Sequence, residues 1–179
     1  DYLNVLDARC WDMDVAGQLP HGPLRLYVMG ERGAQRQAAT TDDIHEMRQI
    51  AAAAMQAGAL GFTTSRTLNH RSINGEPTPS LTASREELTG IAMGLKDAGK
   101  GVLQLITDFD DVEQEFANFE HMMRASGRPL SLSLAESLGG DWRGVLARIE
   151  DANNRGMTVR AQVAPRPVGG PLGMAATGT

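Results

Sequence analysis

The residues best suited to chemistry gather in one stretch, SRTLNHRSINGEPTPSLTAS, which places Arg66, His70 and Arg71 close together in the chain. An arginine can hold a carboxylate through two parallel hydrogen bonds, and a histidine that titrates near neutrality can be a metal ligand or a general acid and base. The segment 66–82 is long, polar and rich in Pro and Gly, and such loops in compact domains are more often functional than structural. The plainer reading is a solvated loop with ordinary surface charges. His21, in LPHGPLR, precedes a glycine that permits close backbone approach; it is either a second site residue or a turn histidine bonded to its own loop. In TDFDDVEQE, Asp108, Asp110 and Asp111 offer hard oxygen ligands, but Asp110 and Glu113 have capping-box spacing, which leaves Asp108 as the functional candidate. Glu136, in LAESLGG, reads as an acid–base group or a turn former, while His45 and His121 lie within helical patterns and read as solvent-facing.

No short motif joins these residues into a known site. The sequence contains no H-x-H, H-E-x-x-H, G-x-x-x-x-G-K-[ST], G-x-S-x-G or G-x-G-x-x-G, and its four histidines and one cysteine have no local zinc-ligand spacing. The 179 residues carry 17 Lys and Arg against 22 Asp and Glu, a net charge of −5 that argues against a nucleic-acid footprint. With 41% hydrophobic residues the chain can bury a core, and no apolar run reaches the roughly 18–20 residues of a membrane helix. The lone Cys10 makes no internal disulfide and suits a reducing compartment, so the cytoplasm is the expected location.

The elements that must position these side chains alternate between β-rich runs and amphipathic helices, the pattern of parallel βα units. The runs at 13–19, 59–64, 102–107, 130–134 and 157–164 predict five strands; LRLYVM at 24–29 reads as a sixth strand or an excursion of the first loop. Four helices are predicted between them. The first is led by Asp42 and Asp43, the second opens on the capping pattern Ser84–Glu87, the third begins near Asp111 and the fourth at Asp141; each stops at a glycine: Gly58, Gly99, Gly127 or Gly156. Five strands are slightly more than half of a (β/α)8 barrel of about 250 residues, and they equally suit an open doubly wound sheet. In either case ligands bind at the carboxyl ends of the strands, next to His21, Ser65, Arg66, His70, Arg71, Asp108, Asp110, Glu136, Ser137 and Arg166.

Several stretches taken together resemble one family. HGPLRLYVMG (21–30), AGALGFTT (57–64) and the helix opening SREEL (84–88), in that order and spacing, are similar to the N-acyl-D-amino-acid deacylases of the amidohydrolase superfamily, and TVRAQVAPRP extends the likeness along the chain. The resemblance implies an α/β fold in which parallel βα units form about strands 3 to 7 of a (β/α)8 barrel of the metal-dependent hydrolase type. It implies that residues 1–179 are a partial barrel domain, a fragment of a longer chain. The expected activity of the complete protein is hydrolysis of the amide bond of an N-acyl amino acid or related small amide by zinc-activated water. His70, His21 and Asp108 are then the expected catalytic residues, and Arg66, Arg71, Ser65 and Gln104 the substrate-binding ones.

Two departures stand out. The family places histidines where this chain reads VLQLITD, with Gln104 and Asp108, and SLSLAES. The metal ligands therefore stay unassigned, and the alternative is a barrel that has lost its metal and serves in binding or scaffolding. The expected partner is a small molecule rather than nucleic acid or membrane. An unclosed barrel would expose two strand edges, which predicts self-association of the isolated segment or a homo-oligomer.

Overall fold

A computed structural model describes residues 2–136 and 140–164. The elements follow in order as α1 (Tyr2–Asp7), β1 (Leu19–Pro20), α2 (His21–Met29), α3 (Glu31–Ala34), α4 (Thr41–Gln56), β2 (Gly61–Arg66), α5 (Arg85–Asp97), β3 (Val102–Thr107), α6 (Val112–Ser126), β4 (Leu130–Ser133), α7 (Trp142–Asn154) and β5 (Val159–Gln162). All neighbouring strands run parallel, in the order β1-β2-β3-β4-β5. A doubly wound sheet reverses its strand order near the middle; this sheet does not, and the sequential order is that of a barrel segment.

The helices form where their ends are specified. Thr40 and Asp43 make a reciprocal capping box on α4, the hydroxyl accepting from the Asp43 amide and the carboxylate from the Thr40 amide. Met47, Ala51 and Met55 then fall on one buried face. Gly58, Gly99, Gly127 and Gly156 all have positive φ, as predicted for glycines that end helices. Helix α5 crosses α4 closely through Gly94, where an added Cβ would lie 2.4 Å from the Arg48 carbonyl oxygen.

Several boundaries differ from the sequence reading. Of the run 13–19 only Leu19 is strand, β1 continuing to Pro20, and β2 begins two residues later than predicted. The segment 24–29 is helical: Leu24, Arg25 and Met29 are buried at helical spacing, and Pro23 falls in the first turn, where its missing N–H costs no hydrogen bond. The cap of α6 is Asp111, which accepts from the Gln114 amide, so Asp110 is not the cap.

The core lies between one face of the sheet and the helices. Phe62 and Thr64 of β2, Leu103 and Leu105 of β3, Leu130 and Leu132 of β4 and Val159 of β5 are buried there. The alternate residues face the other way. Thr63, Gln104 and Ser131 are successive register partners on that opposite face, which in a closed barrel is the interior.

Candidate active site at the carboxyl ends of the strands

The outgoing end of β2 carries Ser65, whose hydroxyl is hydrogen-bonded to His70 Nδ1 at 2.8 Å. This pair borders an open cleft of about 310 Å³ between β2, the start of α2 and the 78–80 stretch of the loop, with Leu26, Pro79 and Ile106 among its walls. The loop that brings His70 back over the strand end is anchored at several points. Asp108 accepts hydrogen bonds from the Thr67 hydroxyl and the Leu68 amide, Ser80 donates to the Ser65 carbonyl, and Arg66 donates to the Ala83 carbonyl. Its outer part, residues 68–76, is exposed. A hydroxyl–imidazole pair held at a strand end can take up or release a proton beside a bound ligand.

Beneath the cleft lies a buried polar network that the sequence did not announce. His21, 1% exposed, bonds through Nε2 to Glu87 Oε1 and through Nδ1 to Thr64 Oγ1, both at 2.8 Å. A carboxylate accepts only, so Nε2 carries the proton towards Glu87; burial favours the neutral ring, in which Nδ1 accepts from the threonine hydroxyl. Burial lowers the His21 pKa; Glu87 opposes that shift, and Arg25 and Arg66 reinforce it. Arg25 Nε lies 3.2 Å from Glu87 Oε1, and its terminal nitrogens donate to the Pro79 and Gln37 carbonyls. The network thus joins α2, β2, α5 and the loop. Ser84 caps α5 by accepting from the Glu87 amide, while the Glu87 side chain turns inward to His21 and Arg25.

The expected substrate-binding arginines are otherwise engaged. Arg66 pairs with Glu115 through two 2.9 Å bonds, and Glu115 also accepts from Thr107; side chains 14% and 13% exposed leave little of this pair to a ligand. Arg71 donates to the Gly75 carbonyl within the loop tip. Gln104 accepts from Gln18 at 2.6 Å on the inner face of the sheet. The structure therefore brings His21, Ser65 and His70 around one cleft, and places Arg66, Arg71, Gln104 and Asp108 in other contacts. Glu136 is exposed beyond β4; Ser137 and Arg166 lie outside the described residues. His45 and His121 are exposed on their helices, as expected. Sequence reasoning missed Thr64, Arg25 and Glu115, whose partners are distant in the chain.

A second hollow of about 360 Å³ lies at the ends of β3, β4 and β5, where Ile106, Ser133 and Gln162 face it with Asp108 and Asp141. Asp108 is committed to the loop, and Asp141 caps α7 by accepting from the Gly144 amide. Among the described residues no three His, Cys, Asp or Glu side chains cluster to hold a metal ion. The strand-end residues at this mouth, Ile106, Ser133 and Gln162, include no imidazole or thiol, so the described residues here do not fit a zinc site. Among the described residues no helix is long and apolar enough to cross a membrane.

A sequential parallel sheet with its clefts at the carboxyl ends of the strands defines a piece of a barrel enzyme fold. The chain belongs to the amidohydrolase family, whose model matches residues 1–169. Among solved structures it is similar to D-aminoacylase, in work on the functional role of its binuclear metal centre: 26% identity, a TM-score of 0.74, and coverage of 92% of this chain and 33% of that one. A D-aminoacylase crystal structure described as defining a novel subset of amidohydrolases matches at 26% identity with a TM-score of 0.63, over 82% of this chain and 29% of that one. The chain thus spans about a third of the length of these proteins. No curated protein matches it.

Proposed function

We propose that the complete protein hydrolyses the amide bond of an N-acyl amino acid or a related small amide, with the ends of β2–β5 forming one side of its active site. The observation that carries this reading is the amidohydrolase match over residues 1–169. In it, His70 moves a proton at the cleft and Ser65 fixes its ring; Asp108 holds the loop that carries His70. The buried His21–Glu87 contact sets the floor of the cleft. The single exposed thiol Cys10 suits a reducing, cytoplasmic setting. The binuclear metal centre of D-aminoacylase supports a metal here, and the sequence resemblance implies zinc; such an ion would need ligands other than the residues described, and none of these roles runs through it.

The test is turnover of N-acyl-D- and L-amino acids by the full-length protein. His70→Ala is expected to lower kcat by about 10²-fold or more, with Ser65→Ala losing less. Unchanged turnover in both variants would remove these residues from the reaction. A second reading, a barrel domain that binds without catalysis, is favoured by Ile106 and Ser133 at strand-end positions that offer no metal ligand. A full-length protein that turns over no amide and retains no metal after dialysis would establish it.

A further inference from the structure

We infer that the cleft beside Ser65 and His70 takes the uncharged acyl chain of the substrate, and not its carboxylate. This rests on the amide-hydrolase reading above and names which part of such a substrate the cleft holds. Among the described residues no Asp, Glu, Lys or Arg lines the cleft; its only ionisable side chains are His70 and His21. His21 is buried and bonded on both ring nitrogens, to Glu87 and Thr64, so neither nitrogen is free to meet a ligand. Neither arginine of the loop lines the cleft: Arg66 is paired with Glu115, and Arg71 donates to the Gly75 carbonyl at the exposed loop tip. A carboxylate placed here would lose its hydration with no fixed cation to replace it.

The walls suit an aliphatic group. Leu26 and Pro79 come from two different segments, Ile106 comes from β3, and Gly22 adds no side chain of its own: a Cβ there would rest 3.6 Å from the Pro79 ring. A volume of about 310 Å³ is room for roughly ten heavy atoms at the ~30 Å³ that a water-sized group occupies in a liquid. A polar pair at one end of an apolar pocket is the arrangement that orients a ligand carrying one polar group and one apolar tail. With the amide next to His70, the acyl chain runs along Leu26 and Pro79.

The experiment uses the full-length protein and a series of N-acyl amino acids sharing one amino acid, with acetyl, butyryl, hexanoyl and succinyl groups. Both KM and direct binding, read by saturation-transfer NMR, are measured. Each added methylene from acetyl to hexanoyl is expected to tighten binding by up to about four-fold, and the succinyl compound to bind no better than acetyl. Leu26→Asp puts a charge on the wall at a residue 44% exposed, where the fold tolerates it, and is expected to flatten the series. Turnover with no dependence on chain length, or a preference for succinyl, would overturn the inference while leaving the hydrolase reading intact. Binding that rises with chain length and is lost in Leu26→Asp, without turnover of any compound, would support the inference and overturn the hydrolase reading. Absence of both binding and turnover would overturn both.

Discussion

Replacing Glu87 by alanine removes the one carboxylate that serves two buried side chains. Arg25 and Glu87 are each 1% exposed, so water cannot enter to replace the lost partner without opening the structure. Leaving one member of a buried ion pair alone costs about 3–5 kcal/mol. The bonds from Arg25 to the Pro79 and Gln37 carbonyls survive and hold the loss to that range. His21 Nε2 also loses its acceptor, a further penalty of about 1–3 kcal/mol if it stood alone. The two penalties share one carboxylate and do not simply add, so the total expected is about 3–5 kcal/mol. Glu87→Gln keeps an acceptor for His21 and loses only the charge, so it is expected to fall between wild type and alanine. Urea unfolding of the full-length protein, with an unchanged m-value, measures both. A loss below about 1 kcal/mol for Glu87→Ala would refute the reasoning, because it would mean that Arg25 is solvated or never needed the pair.

Other outcomes follow from the same geometry. Burial holds the His21 pKa below its ordinary value, so the unfolded chain takes up a proton, near pH 6.5, that the folded chain refuses. Stability from this group is full above about pH 7 and falls as the pH drops below about 6.5, by at most about 1.4 kcal/mol per unit; His21→Gln should remove that slope, and an unchanged slope between pH 7 and 5 would contradict it. Asp43, held down to about 2 by Arg32 with help from Thr40, contributes in a lower window, present above about pH 4 and lost as the pH falls towards 2; Asp43→Asn should flatten acid unfolding there. Arg66→Ala and Glu115→Ala should be non-additive in a double-mutant cycle, with a coupling of about 1 kcal/mol or more, whereas a null coupling would free Arg66 for substrate. Gly94→Val would drive a side chain into the backbone of α4, and we expect a loss of about 1–3 kcal/mol or more in unfolding free energy, against little change for Gly22→Ala, whose Cβ would make an ordinary contact 3.6 Å from the Pro79 ring.

Much of the architecture is legible because its signals are local. The caps Ser84, Asp111 and Asp141 and the four helix-ending glycines lie within a turn of the groups they satisfy, and those helices form as read. The 24–29 run misleads because Leu24, Leu26 and Val28 alternate like a strand, while burial follows Leu24, Arg25 and Met29. At the site, Ser65 and His70 are five residues apart and their pairing is within reach of sequence reasoning. Glu87 is not: its position three residues after Ser84 already has a sufficient local explanation, and nothing nearby shows that its side chain reaches His21, 66 residues earlier in the chain. Arg66 likewise looks available for a ligand until the fold delivers Glu115 from 49 residues away.

The strand order bears on how the molecule is made. Among the described residues, each strand of the sheet is hydrogen-bonded only to the strands immediately before and after it in sequence. Pairing among these five strands therefore does not wait for a distant part of the polypeptide, and the entropy of loop closure is met one βα unit at a time. Such a sheet can grow vectorially during translation, each completed strand acting as the template for the next one to leave the ribosome.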